Sequence, residues 1–141
     1  MDDGARRAVV ERLRQAVDAH DIEAVVNCFA LDYRNVTPAH PARGFDGQQQ
    51  VRANWTRIFE GVPDIQATVL RTAVEGREVW SEWEMQGTRR DGLAHLMRGV
   101  IVFDINDDRA TSARFYLEPV DQGDEGVDAA VGQVVGAEAP R

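Results

Sequence analysis

Residues 65–119 read IQATVLRTAVEGREVWSEWEMQGTRRDGLAHLMRGVIVFDINDDRATSARFYLEP, and this stretch decides the fold. It divides into four runs, Ile65–Val74, Arg77–Gly87, Leu93–Ile105 and Arg109–Glu118, each rich in Val, Ile, Trp, Phe, Thr or Tyr. Such residues suit a pleated surface. Glu75-Gly76, Arg90-Asp91-Gly92 and Asn106-Asp107-Asp108 separate the runs. Gly takes positive φ without strain and Asp or Asn tolerate it, so these are hairpin turns. Sequential strands joined by short turns form an antiparallel meander. Strands of about ten residues reach about 33 Å. A sheet that long twists, and it needs helices over one face.

The helices lie upstream. Val9, Val10, Leu13, Ala16 and Val17 follow helical spacing between Arg6 and Ala19, with charged residues on the other face. His20-Asp21 interrupts the pattern, and Asp21 suits the N-cap of a second helix carrying Ile22, Val25, Val26 and Phe29. Tyr33–Thr37 has the character of a short strand. Pro38 and Pro41 force the following loop into an extended path. Asp46 is the expected cap of a third helix, in which Val51, Trp55, Ile58 and Phe59 share a face, and Gly61 and Pro63 end it. After Pro119 aromatic residues disappear, and residues 121–141 read as a flexible acidic tail carrying at most a weak helix over its valines. The expected fold class is α+β: a cone-shaped, curved antiparallel sheet with three N-terminal helices packed on its concave side. Residues 6–120 form the cone domain.

Composition limits the partners. The 141 residues carry 24 acidic and 16 basic side chains, a formal charge of −8, so nucleic acid and anionic membranes are not expected partners. Every basic residue is Arg, which reads as compositional bias. Cys28 stands alone, so neither an internal disulfide nor a cysteine-rich zinc site is expected. His20, His40 and His95 share no ligand spacing, and no metal or cofactor is expected. No apolar run approaches about 18 residues and no signal segment opens the chain, so a cytoplasmic location is expected.

The order of elements resembles the nuclear transport factor 2-like superfamily, and within it the SnoaL-like proteins. His20–Val26, Thr37-Pro38 with Gly44, Val62-Pro63-Asp64, Glu82-Trp83 with Gly87-Thr88, and Arg114–Pro119 carry the resemblance. It implies kinship with ketosteroid isomerase, limonene epoxide hydrolase, scytalone dehydratase and polyketide cyclases, and a cavity between the concave sheet face and the third helix. The positions matching the ketosteroid isomerase machinery are Leu13, Ile101 and Thr37. None of the three can transfer a proton near neutral pH. Tyr33-Arg34-Asn35 resembles the water-holding motif of limonene epoxide hydrolase, but its charged relay falls near Trp83, Met85 and Phe115. Both of those chemistries are therefore disfavoured.

Side-chain parity then selects candidates. Tyr33 and Asn35 share a face of their strand, and His40 lies in a loop expected to rim the cavity; these three are the candidate catalytic residues. Trp55, Phe59, Trp83, Met85, Arg98, Phe115 and Glu118 are candidate ligand-binding residues. Trp83 and Met85 are assigned to the inner face, and Trp80, Glu82 and Glu84 to an outer face suited to a homodimer. Arg98 interrupts an apolar run and needs an acid partner or a wet face: Glu82 or Glu84 across the sheet, or the carboxylate or phenolate of a ligand. The expected ligand is a small apolar or aromatic molecule. Two functions follow: a cofactor-free cyclase, isomerase or hydratase/dehydratase, or a non-catalytic binding or association module.

Overall fold

The computed structural model describes residues 1–137. Helix α1 spans Asp3–Asp18, with the Asp2 carboxylate accepting from the Ala5 N–H, and it buries the predicted Val9, Val10, Leu13, Ala16 and Val17. Helix α2, Ile22–Asn27, starts at Asp21, whose side chain accepts from the Ala24 N–H. It is shorter than its spacing predicts. Phe29 belongs instead to strand β1, Phe29–Val36, where its ring packs edge-on against Tyr33. A 3₁₀ turn at Pro41–Arg43 leads to the two-residue strand β2, Phe45–Asp46. Asp46 is thus a strand residue paired with Arg34, not a helix cap. Gly47 caps α3, Gln48–Gly61, because its φ of 90° turns the chain from β2 into the helix.

The four long strands follow: β3 Gln66–Glu75, β4 Glu78–Thr88, β5 Ala94–Asn106 and β6 Arg109–Pro119. The β5–β6 turn has Asp107 and Asp108 both at positive φ, as a type I′ hairpin requires. The sheet order is β2-β1-β6-β5-β4-β3. Its pairings are antiparallel except that β1 runs parallel to β6. A fourth helix, α4, covers Val127–Val135. No helix among the described residues is long and apolar enough to cross a membrane.

Two local devices curve the sheet. Between Val69 and Arg71 the β3–β4 register shifts by one residue, so Leu70 is the extra residue of a β-bulge. Before the bulge, Val69 faces with Trp83; beyond it, Thr72 faces with Ser81. In β5, Gly99 has φ of 152°, and a Cβ there would lie 2.0 Å from the Tyr116 carbonyl oxygen. Only glycine lets β5 approach β6 so closely.

The concave face and the helices enclose the core. Trp83 is completely buried, with its indole N–H donating to Ser81 Oγ at 2.8 Å and that hydroxyl donating to the Ile101 carbonyl at 2.7 Å. The buried Trp83 indole and Ser81 hydroxyl are therefore both paired within the core. The helical hairpin is fastened at its joint. Asp18 accepts from the Ala67 N–H at 2.7 Å, and the His20 ring bonds the Ile65 carbonyl at 2.9 Å.

Candidate functional site

One face of α3 and the concave face of the sheet leave a cavity of about 290 Å³. That lies at the small end of ligand pockets, about 300–1,000 Å³. Helix α3 lines it with Val51, Asn54, Trp55 and Ile58, the positions its helical spacing brings to one side. Met85 on β4, His95 and Met97 on β5, and Phe115 and Leu117 on β6 form the sheet wall. Strand β1 adds Phe29, Tyr33 and Asn35, with Thr37 just beyond it. Ile65, Arg43 and Phe45 complete the lining. Most of this surface is apolar; its polar groups are Tyr33 and Asn35 on β1, Thr37 just beyond it, Arg43, Asn54 on α3 and His95 on β5.

Tyr33 and Asn35 sit together because residues two apart on a strand share a face. The Tyr33 hydroxyl donates to Asn35 Oδ1 at 2.8 Å, and both residues are buried. That bond uses the Asn35 carbonyl oxygen as acceptor, and the side-chain amide keeps two N–H groups able to donate. Burial pushes the Tyr33 phenol pKa far above its ordinary value, so the phenol stays protonated as a donor. No carboxylate lines the cavity among the described residues.

The residues singled out from sequence separate into three places. Tyr33, Asn35, Trp55, Met85 and Phe115 line the cavity. Phe59 and Trp83 stand behind it: Phe59 stacks on His20 with ring centroids 4.9 Å apart, and Trp83 is sealed in the core. His40, Arg98 and Glu118 lie away from it. His40 Nε2 meets Glu118 at 2.8 Å, and Arg98 pairs with Glu84 at 2.9 Å, the cross-strand partner that parity offered. Glu118 alternates with the cavity-lining Leu117 and sits opposite Arg98, so these groups form a charged row on the outer side of the sheet. The register assigned to β4 is the one observed, with Met85 inward and Glu84 outward.

His95 is not among the candidates selected from sequence, yet it lines the cavity. The missed signal is parity. His95 and Met97 share a face of β5, and Met97 sits opposite Met85. Burial is the main reason that the His95 pKa lies below its ordinary 6.5, and the nearby Arg89 charge adds to the effect. The imidazole is therefore neutral at pH 7 and able to accept a proton.

A SnoaL-like domain model matches residues 10–113. The chain belongs to the SnoaL-like family. Among curated proteins, none matches it in sequence. Solved structures similar to this SnoaL-like protein include an epoxide hydrolase of the limonene epoxide hydrolase-like type from M. tuberculosis, with TM-score 0.70 and 18% identity over 82% of this chain and 84% of the other. A putative SnoaL-like polyketide cyclase from Shewanella denitrificans superposes with TM-score 0.67 and 14% identity, covering 80% and 90%. A protein with a ketosteroid isomerase-like fold from Catenulispora acidiphila, in complex with trimethylamine, gives 0.64 and 19%, covering 77% and 84%. At these identities the likeness is one of fold. The SnoaL-like cone thus serves cyclases, isomerases and hydrolases, and function has to be argued from this chain's own cavity.

Proposed function

We propose that this SnoaL-like protein binds a small, largely apolar molecule bearing a carbonyl or hydroxyl oxygen. The apolar body lies against Trp55, Met85, Met97 and Phe115, and the oxygen accepts from the Asn35 amide. The Tyr33–Asn35 hydrogen bond carries this reading, because it fixes a donor within a greasy wall. A site built to pair one oxygen discriminates against the analogue that lacks it. Calorimetric titration with 1-indanone and with indane tests this. The ketone binds about tenfold tighter than the hydrocarbon, the value of one well-placed hydrogen bond. In Asn35→Leu the two bind alike. Equal affinities in the wild type would rule the reading out.

His95 favours a second, catalytic reading. A neutral imidazole in the cavity wall can take a proton from the carbon between a carbonyl held by Asn35 and a neighbouring C=C bond, and can return it to the γ-carbon of the dienolate as the double bond moves into conjugation. That is a cofactor-free isomerisation, with Asn35 bonding the oxygen as it gains charge. Its test is hydrogen–deuterium exchange at the α-carbon of 1-indanone in heavy water. The protein accelerates the exchange, and His95→Ala removes the acceleration without removing ketone binding. Ketone binding without exchange leaves the protein a binding module.

The outer sheet face is proposed to pair with a second copy of the chain. Leu70, Trp80 and Tyr116 are each more than two-fifths exposed there. The Arg71–Glu82, Arg98–Glu84 and Arg114–Glu78 pairs surround them, giving an apolar patch with a polar rim.

A further inference from the structure

Beside the cavity, on the far side of Ile58 and His95, lies a second, open hollow of about 530 Å³. Three arginines converge on it in a chain whose formal charge is −8. Arg57 comes from α3, one residue before the cavity-lining Ile58, while Arg89 and Arg90 come from the β4–β5 turn. Asp91 is the one carboxylate lining the hollow among the described residues, and it pairs with Arg89. Arg90 Nε donates to the Glu60 carbonyl at 2.6 Å, near the negative end of α3, and this bond positions its guanidinium. Arg57 has no hydrogen-bond or ion-pair partner among the described residues, and the rest of the Arg90 fork is equally unengaged. The depressed pKa of His95, to which Arg89 contributes, reports the same local positive field.

We propose that this hollow binds the anionic head, a carboxylate or phosphate, of a ligand whose apolar body occupies the cavity. Two planar guanidiniums free to pair oxyanions offer bidentate, charge-assisted hydrogen bonds. Ile58 and His95 border both spaces, so one molecule extends from one into the other. The inference rests on the cavity reading, since it supplies the head group for the same ligand.

The test compares 1-decanol, decanoate and decyl phosphate at low ionic strength, by calorimetry on the full chain, with wild type, Arg57→Ala/Arg90→Ala and Arg43→Ala. Arg57 and Arg90 are exposed, so the double variant retains the fold. The expected result is that at least one anion binds wild type about tenfold or more tighter than decanol. The double variant loses that advantage and leaves decanol unchanged. Added salt erodes the advantage as well. The relative strength of the two anions tells a carboxylate head from a phosphate one. Equal binding of all three ligands by wild type, or an advantage that survives in the double variant, overturns the inference while the cavity reading stands. An advantage lost only in Arg43→Ala moves the anion to the cavity lining and also overturns it. If none of the three binds, the cavity reading fails and the inference falls with it.

Discussion

Replacing Tyr33 by Phe removes one oxygen from the core and leaves Asn35 Oδ1, buried beside it, without its donor. The cost of an unpaired buried acceptor is about 1–3 kcal/mol. Urea denaturation of Tyr33→Phe is expected to show a loss in that range with an unchanged m-value. An unchanged midpoint would mean that the pair is not formed. His95 gives a second residue-level expectation. Its folded pKa is depressed, so as pH falls the unfolded chain takes up the proton first. The stability that His95 contributes is present above its ordinary 6.5 and is lost as pH falls below that value. An NMR titration should place the His95 midpoint below 6.5, and His95→Gln should flatten the stability slope in that window. Tyr33 and Asn35 were legible in the sequence because two-residue alternation places both on one face. His95 was not, because its meaning depends on a partner strand: only the pairing of Met97 with Met85 shows that this face of β5 lines the cavity. His40 misleads for the opposite reason. A loop histidine is free to turn either way, and Glu118 holds this one on the outer side.

At the scale of elements, the β4–β5–β6 meander follows directly from turn chemistry and residue preference. The elements least visible in sequence are those set by backbone geometry. The bulge at Leu70 leaves the composition of β3 unremarkable yet reverses which of its residues face the helices. Gly99 reads as a weak spot in a strand but is required by the closeness of β6. Gly99→Ala places a methyl carbon 2.0 Å from the Tyr116 carbonyl oxygen, so β5 and β6 have to separate. A loss of at least about 3 kcal/mol, or failure to fold, is expected in chemical denaturation, beyond the usual cost of a point change. The corresponding change at Gly61, where nothing lies within 4 Å, is the control and should be nearly neutral. Similar losses for both would show that contact with β6 is not the cause. β1 was legible only in part. Its register is set by parallel pairing with β6, a contact between distant parts of the chain that no local pattern records.

For the whole molecule, the cone has two surfaces with different uses. The outer face places Trp80, under a cation–π contact from Arg114 at 5.7 Å, within the exposed apolar patch. If a second copy covers that patch, light scattering gives twice the chain mass for wild type and the monomer mass for Trp80→Glu/Tyr116→Glu. A monomeric wild type would remove the dimer from the proposal. The inner face carries the central claim, that the cavity takes a small apolar molecule through Asn35. Its most direct test is an amide-correlation NMR titration with 1-indanone, in which the Trp55 and Trp80 indoles and the Asn35 side-chain amide are separate reporters. Ligand in the cavity shifts Asn35 and Trp55 and leaves Trp80, on the outer face, unmoved. If Asn35 and Trp55 stay fixed, or move no more than Trp80, the cavity is not the binding site.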